Sequence, residues 1–278
     1  HHDAFIKDVM DWALIASLLA LGAITGFVAG LLGVGGGGII VPFLTAIFAA
    51  RGYPEQHIVH MAIATALATT LFTSVSSMRT HHQHGAVLWR VVKILTPGLL
   101  LGSVLGAQIA GRLPALWLAV IFATFVAFSA SQMLLDRKPK PARELAQAGG
   151  MFIAGSVIGF VSSLVGVGGA FISVPYLVWS NVKVHNAVAT SAALGFPIAA
   201  AGTVGYVLAG RSVAGLPEGT IGFVNLPALA TIALASIVTA PLGARTAHKL
   251  NTKPLQRIFS LLLLTLAGYM LYRGIKSA

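Results

Sequence analysis

Hydrophobic residues fill most of this 278-residue chain in long runs, and polar residues gather in the short stretches between them. Almost every window of about 20 residues is apolar enough to cross a bilayer as a helix. The pattern predicts ten apolar segments, at about residues 12–32, 36–50, 57–78, 88–110, 114–135, 148–165, 168–180, 185–209, 223–244 and 254–273. We therefore expect an all-α polytopic membrane protein with about eight to ten helices.

Two stretches of this pattern are near copies of each other. Residues 26–44 read GFVAGLLGVGGGGIIVPFL, and residues 159–177, at an offset of 133, read GFVSSLVGVGGAFISVPYL. Twelve of these nineteen positions are identical. Each copy passes from an apolar run through a glycine cluster into a second apolar run that contains a proline. The duplication predicts one broken helix in each half of the chain.

Two further blocks repeat in the same order. HMAIAT begins at His60 and HNAVAT at His185, at an offset of 125, and Gly106 with Ala107 corresponds more weakly to Gly243 with Ala244. The most polar connector, DRKPKPARELA, lies near the midpoint of the chain and carries two prolines. We expect one transmembrane domain of two repeats, residues 1–135 and 148–278, joined by a basic cytoplasmic linker at 136–147.

Composition agrees with a membrane protein and excludes several other classes. Hydrophobic residues make up 56% of the chain and charged residues only 9%, where a soluble domain carries about a quarter charged residues. The net charge of +11 comes from basic residues in short loops, where they face lipid head groups. We expect no nucleic-acid partner, since no basic stripe is interleaved with aromatic residues. There is no cysteine, which excludes disulfides and thiolate metal ligands.

The topology depends on whether each glycine-broken pair of segments is one span or a hairpin. A single broken span gives four crossings per half and parallel repeats, with 11 of the 18 basic residues on one side. A hairpin, re-entrant or spanning, gives inverted repeats of about five helical segments each, with 12 of the 18 on one side. The larger asymmetry favours inverted repeats with both termini outside the cell.

The glycine clusters are candidates for binding an anion. Gly33, Gly35, Gly36, Gly37 and Gly38 in the first half, and Gly166, Gly168 and Gly169 in the second, interrupt the helix and free backbone N–H groups. The next helix points its positive dipole end at the same place. The alternative is close helix packing of small residues, as at the spacing of Gly22, Gly26 and Gly30. Pro42 and Pro175 follow the clusters and belong to the break or to the first turn after it.

The helix after each glycine cluster carries hydroxyl groups at helical spacing. Thr65, Thr69 and Thr73 share one face, and Thr190 with Ser191 occupies the equivalent turn of the second half. These hydroxyls could donate to an oxyanion, or they could bond back to carbonyls of their own helix. His60 and His185 are the histidines that both halves share. They are interfacial residues or candidates for proton coupling along the substrate path.

Acidic residues are informative by where they are missing. All seven lie in predicted loops or termini, so no segment offers a mid-membrane carboxylate for a sodium site or a proton relay. Arg79 and Arg245 lie near helix ends, where they could attract anions or reach to head groups. His81, His82 and His84 cluster in a predicted loop without carboxylates, so we expect no metal site and no cofactor.

These residues resemble the sulfite exporter TauE/SafE family of membrane proteins. The resemblance rests on the two glycine clusters followed by proline and on the repeated H-x-A-x-A-T blocks, and it covers essentially the whole chain. One departure is GGAF in the second half where the first half has GGGG. The resemblance implies a transporter of sulfite, organosulfonates and related sulfur-containing anions across the cytoplasmic (inner) membrane, with export as its usual direction.

The sequence therefore predicts an anion secondary transporter working by alternating access, whose substrate lies between the two glycine clusters. Its partners are the lipid bilayer, a small sulfur-containing anion and, for coupling, protons; the oligomeric state stays open. A passive anion channel would use the same residues. An intramembrane enzyme would need a carboxylate pair, a metal triad or a nucleophile elbow, and the chain offers none.

Overall fold

The computed structural model describes residues 12–32, 36–135, 143–247 and 253–276. These residues form ten α-helices and one two-stranded hairpin. The first half contains α1 (Trp12–Leu32), α2 (Gly37–Ala50), α3 (Glu55–Gln83), α4 (Trp89–Ala110) and α5 (Ala115–Leu134). The second half contains α6 (Ala148–Val165), α7 (Ala170–Trp179), α8 (Val184–Gly210), β1 (Thr220–Ile221), β2 (Val224–Asn225), α9 (Leu226–Ala247) and α10 (Lys253–Lys276).

In each half the second helix is short and the other four are long. Eight of the described helices are long and apolar enough to cross a membrane, whereas α2 and α7 have only 14 and 10 residues. The prediction of ten apolar helical segments is thereby confirmed. The β1–β2 hairpin was not predicted; it is antiparallel and lies between α8 and α9.

Two local predictions were wrong. His81 and His82 lie in the last turn of α3 and not in a loop, since the chain first leaves the helix at His84 and turns at Gly85, where φ is 65°. Pro42 and Pro175 lie inside α2 and α7, at the sixth residue of each, and not in the first turn. The interruptions come before the prolines, at the glycine clusters.

Small residues bring two pairs of helices into close contact across the halves. In one pair, α1 packs along α9, with Gly22 against Ile232 and Gly26 against Ser236. In the other pair, α4 packs along α6, with Gly98 against Phe152 and Gly102 against Ser156. Contacts advance together along the chain in both pairs, so each pair is parallel. Glycine allows this approach because any Cβ would meet the partner's backbone.

The remaining helices complete the bundle around α3 and α8, which pack against each other. In α3 the membrane-length window is 83% buried, the most of any described span. Helix α5 packs along α10. Large apolar side chains cover the outside, where they face lipid, among them Ile153, Phe128, Leu234 and Ile258.

Contacts between helix ends define two opposite ends of the molecule. At one, the Arg273 guanidinium pairs with the Glu55 carboxylate at 2.7 Å, so α10 ends where α3 begins. At the other, the Arg143 N–H donates to the Trp179 carbonyl, which brings the segment before α6 to the end of α7. The 29 residues of α3 run from the first to the second. We call these the Glu55 end and the Arg143 end.

Candidate functional site

The two glycine clusters meet at the centre of the bundle. Gly37, the first residue of α2, lies so close to the second cluster that a Cβ there would collide with the Gly166 carbonyl oxygen and stand 3.0 Å from the Val167 Cα. Gly33 and Gly35 lie outside the described residues. The prediction that the two breaks come together therefore agrees with the position of Gly37 and Gly166.

The second cluster needs glycine for its backbone conformation. Gly166 ends α6 with φ of 76°, and Gly169 precedes α7 with φ of 82°, both in the left-handed region. At Gly169, a Cβ would also strike the Ile198 side chain. In the first cluster, Gly36 is right-handed, with φ of −76°, and packs against Thr25 of α1. Since Thr25 lies seven residues before the end of α1, the chain has turned back into the bundle where α2 begins.

A cavity of about 40 Å³ lies beside this meeting point. A water molecule needs about 10–15 Å³ by this kind of measure, so the space suits a small ion or a few waters. Its walls consist of small or hydroxyl-bearing residues, none of them charged. They are Ala29, Gly30, Thr70, Thr73, Ser74, Ser77, Gly168, Ala170, Ser191, Ala192, Gly195 and Ala240.

The cavity brings together five elements of the two halves. The end of α1, the second half of α3 and the end of α9 form one wall, and the start of α7 with α8 forms the other. In the first turn of α7, the Ile172 and Ser173 N–H groups donate to the Gly169 carbonyl. The two N–H groups before them, beginning at Ala170 beside the cavity, have no acceptor one turn back in the helix. The Ser173 and Ser191 hydroxyl oxygens are 2.8 Å apart next to it. Space, hydroxyl groups and a helix N-terminus thus coincide.

The structure brings only some of the predicted site residues to the cavity. Gly168 and Ser191 line it, together with Thr73 of the predicted hydroxyl face. Gly36, Gly37, Gly38, Gly166 and Gly169 form the adjoining backbone without lining it. Thr65, Thr69 and Thr190 do not line it either.

Thr65 and Thr190 instead hold the start of a helix in the opposite half. The Thr65 hydroxyl oxygen accepts from the Asn225 N–H at 3.0 Å, and Asn225 in turn caps α9 through its side-chain oxygen. The Thr190 hydroxyl oxygen accepts from the Leu88 N–H at 3.0 Å, directly before α4. The two contacts are equivalent in the two halves. The repeated threonine therefore positions the fourth helix of the other half.

The face of α3 that borders the cavity shares only Thr73 with the predicted hydroxyl face. The Thr69 hydroxyl donates to the Thr65 carbonyl of its own helix, and the Thr70, Thr73 and Ser74 hydroxyls likewise donate to carbonyls of α3. The face at the cavity carries Thr70, Thr73, Ser74 and Ser77. Their i, i+3, i+4 and i+7 spacing is the signal that could have found them, because it marks a second hydroxyl face on the same helix.

The two repeated histidines lie away from the cavity and from each other. The His60 ring is buried near the Glu55 end, where its Nε2 lies 2.9 Å from the Leu113 carbonyl oxygen and the ring stacks on Phe223. His185 is exposed at the start of α8, near the Arg143 end. Neither lines the cavity.

Two of the predicted basic residues lie beyond the rim of the cavity. Arg79 follows Ser77 in α3, Arg245 follows Ala240 in α9, and both are exposed at the Arg143 end. Among the residues that the structure describes, no group of three or more His, Cys, Asp or Glu side chains is placed to hold a metal ion.

Comparison with known proteins identifies the family of this arrangement. Residues 18–270 match the model of a family described as sulfite exporter TauE/SafE. The chain belongs to the TauE/SafE family. The family is one of transporters and not of enzymes, so this is a multi-pass transmembrane transporter of the TauE/SafE family.

Curated relatives of the TauE/SafE chain span nearly its full length. A probable membrane transporter protein of Haemophilus influenzae is 32% identical over 257 residues, covering 92% of this chain and 97% of its own. The probable membrane transporter protein MJ0441 of Methanocaldococcus jannaschii is 27% identical, covering 93% and 96%. The probable membrane transporter protein YunE of Bacillus subtilis is 28% identical, covering 94% and 98%. No solved structure matches the chain.

Proposed function

We propose that this TauE/SafE protein is a secondary transporter of sulfite or related sulfur-containing anions, including organosulfonates, and that it exports them by alternating access. The observation that carries the proposal is the meeting of two helix starts, Gly37 of α2 and Ala170 of α7, beside an uncharged cavity lined by hydroxyl groups. Together these groups favour a small oxyanion.

The electrostatics of this meeting point favour negative charge. A helix N-terminus carries about half a positive elementary charge and unpaired N–H groups, and here two of them face the same central region. The cavity adds the hydroxyl groups of Ser77 and Ser191. The hydroxyls of Thr70, Thr73 and Ser74 donate to carbonyls of α3 in this structure and become donors to an anion by leaving those bonds. No carboxylate lines the cavity, so a cation would find no compensating charge there. The arrangement resembles the half-helix N-termini that hold anionic groups in other secondary transporters.

Inverted repeats account for the helix directions. Helix α1, the first of its half, runs parallel to α9, the fourth helix of the other half. In the same way α6, the first helix of the second half, runs parallel to α4, the fourth helix of the first half. The start of α3 is at the Glu55 end and the start of α8 is near the Arg143 end. Equivalent helices therefore enter from opposite ends, as an inverted pair requires.

The cavity lies on the Arg143 side of the bundle centre. It borders the last part of α1, of α3 and of α9, all of which end at that side. Twelve of the 18 basic residues belong to this side in the hairpin topology, which by the positive-inside rule makes it cytoplasmic and puts the linker at 136–147 inside and both termini outside. A cavity open to the cytoplasm is in the state that loads a substrate for export.

The coupling proton, where one moves, travels with the substrate in this proposal. Hydrogen sulfite and sulfite interconvert near neutral pH, while His60 and His185 stand away from the cavity. We expect the double variant His60→Gln with His185→Gln to keep transport driven by a pH gradient. Loss of pH-driven transport, with transport by anion exchange intact, would assign the coupling to the histidines.

Transport in proteoliposomes tests the proposal. Purified protein is reconstituted, and uptake of sulfite, sulfate, thiosulfate and taurine is measured with and without a pH gradient. We expect saturable uptake of at least one of these, accelerated when the same anion is loaded on the far side. Acceleration by far-side substrate marks a carrier, and its absence in the presence of uptake marks a passive channel. No uptake and no binding of any of the four would overturn the sulfur-anion assignment.

A further inference from the structure

Among the described residues, four buried serines have no hydrogen-bond partner for their hydroxyl groups, and three of them lie in α4 and α6, apart from Ser180 at the end of α7. These three are Ser103 in α4 and Ser162 and Ser163 in α6, each no more than 1% exposed. Buried hydroxyls elsewhere in the bundle donate to a carbonyl one turn back, as Thr25 of α1 and Thr45 of α2 do. A buried hydroxyl left unpaired destabilises the fold, because it gives up its hydrogen bonds to water and gains none in the protein. Three of them in one region call for a reason.

Their places in the duplication supply one. Ser162 and Ser163 lie 133 residues after Ala29 and Gly30, and Ser103 lies 137 residues before Ala240. Ala29, Gly30 and Ala240 all line the cavity. The unpaired serines thus occupy the repeat-related positions of three residues that border the cavity.

Helix contacts support this equivalence independently of the sequence match. Gly243 packs against Phe27, and its counterpart Gly106 packs against Phe160, which is the counterpart of Phe27. Gly26 likewise packs against Ser236, while its counterpart Gly159 packs against Leu99 and Ser103. The same offsets therefore relate the α1–α9 contact to the α6–α4 contact.

Two aliphatic side chains occupy the region next to the serines. Leu67 is the counterpart of the cavity residue Ala192, and Ile198 is the counterpart of Thr73, both at the offset of 125. The Leu67 methyl and the Ser163 Oγ both lie 3.0 Å from where a Cβ of Gly202 would stand. Ile198 packs against Gly169, and the Ser162 Oγ lies 3.3 Å from where a Cβ of Gly169 would stand. Both aliphatic chains are fully buried.

We infer that Ser103, Ser162 and Ser163 line a second half of the substrate path, closed in this conformation by Leu67 and Ile198. It opens toward the Glu55 end when the cavity at the Arg143 side closes. In that state the three hydroxyls donate to the anion or to its water, which is the role proposed above for Ser77 and Ser191 on the other side. The inference rests on the proposed alternating-access function, and it names residues that are exposed in one state of the transporter and closed off in the other.

Cysteine labelling can test this inference directly, because the chain has no native cysteine to remove. Single variants Ser103→Cys, Ser162→Cys and Ser163→Cys are labelled with a membrane-impermeant maleimide, in right-side-out and inside-out vesicles separately. Ser77→Cys reports the open cavity. Ser236→Cys is the matched control, since Ser236 is also fully buried in a helix but its hydroxyl donates to Ala233. Each variant is first checked for expression and a monodisperse elution profile.

We expect Ser77→Cys to react from the Arg143 side and the three path variants to react from the Glu55 side only. Their rates should exceed that of Ser236→Cys at least about tenfold. Labelling of the path variants from the Arg143 side, or no faster than Ser236→Cys from either side, would overturn the inference. Reconstituted uptake of the four sulfur anions is scored separately, so sided labelling without their transport leaves the path and removes the substrate class.

Discussion

The open cavity beside α3 and the closed region beside α8 occupy equivalent places in the two halves but are built differently. Around the cavity, α3 supplies four hydroxyl residues and α8 supplies Ser191, while α1 and α9 supply small apolar residues. In the closed region α8 supplies Ile198 and Gly202, and the hydroxyls come from α4 and α6. The hydroxyl groups therefore lie on different helices in the two regions. Both regions could belong to one uncharged path for an oxyanion, of which the part beside α3 is open and the part beside α8 is closed.

Gly37→Ala should break the comparison most severely, because it separates the two glycine clusters that both regions share. The added Cβ meets the Gly166 carbonyl, which belongs to backbone and cannot turn aside. We expect a loss of about 3 kcal/mol in stability, seen as a lowered melting temperature in detergent, and loss of transport.

The adjacent Gly38→Ala is the matched control for that variant. A Cβ there would first meet the flexible end of Leu263 at 3.1 Å, so it should cost less than about 1 kcal/mol. Equal effects of the two substitutions would contradict the close meeting of the clusters.

Thr65→Val and Thr190→Val should show that the repeated threonines serve the scaffold on both sides alike. Thr65→Val removes the acceptor of the buried Asn225 N–H and Thr190→Val that of the half-buried Leu88 N–H, so each should destabilise the protein by about 1–2 kcal/mol. Thermal unfolding measures this, and Thr65→Ser and Thr190→Ser should restore it. A variant with wild-type stability but weakened anion binding would return the residue to the substrate site.

Thr73→Val should sharpen the comparison on the open side. The Thr73 hydroxyl makes only long contacts of 3.4 Å and 3.2 Å to the carbonyls of Thr69 and Thr70, so it can turn to an anion in the cavity. Valine replaces it by a methyl of similar volume, so anion affinity should fall about fivefold with little change in stability. Thr69→Val, one turn earlier and outside the cavity, should leave affinity unchanged because its hydroxyl bonds to the Thr65 carbonyl. Equal affinity losses would show that the cavity does not hold the anion.

Glu55→Gln should have the smallest effect and bears on the closed side. It weakens a half-exposed ion pair with Arg273 that joins α3 to α10 at the Glu55 end, and such pairs contribute about 0.5 kcal/mol. We expect labelling of Ser163→Cys from that end to rise about twofold. A fall would mean that the pair does not help to keep this end closed.

Much of this fold could be read from the sequence, because long apolar runs and consecutive glycines leave few alternatives. The ten segments and the meeting of the clusters follow from that pattern. The choice of hydroxyl face did not, because α3 carries hydroxyl residues on two faces and is buried on nearly every side, so the pattern showed both faces and gave no reason to prefer Thr70 and Ser74 over Thr65 and Thr69. The β1–β2 hairpin was missed because it has only two residues per strand.

Binding of an anion in the cavity can be tested by its protection of a cavity cysteine against maleimide labelling. Ser74→Cys is labelled from the Arg143 side in the presence of rising sulfate, sulfoacetate or taurine; sulfite is left out because it reacts with maleimides. We expect at least one of these sulfur compounds to slow labelling in a saturable way, while exchanging sodium for potassium has no effect. A labelling rate that no anion changes, or that follows the cation instead, would contradict an anion site between the two glycine clusters.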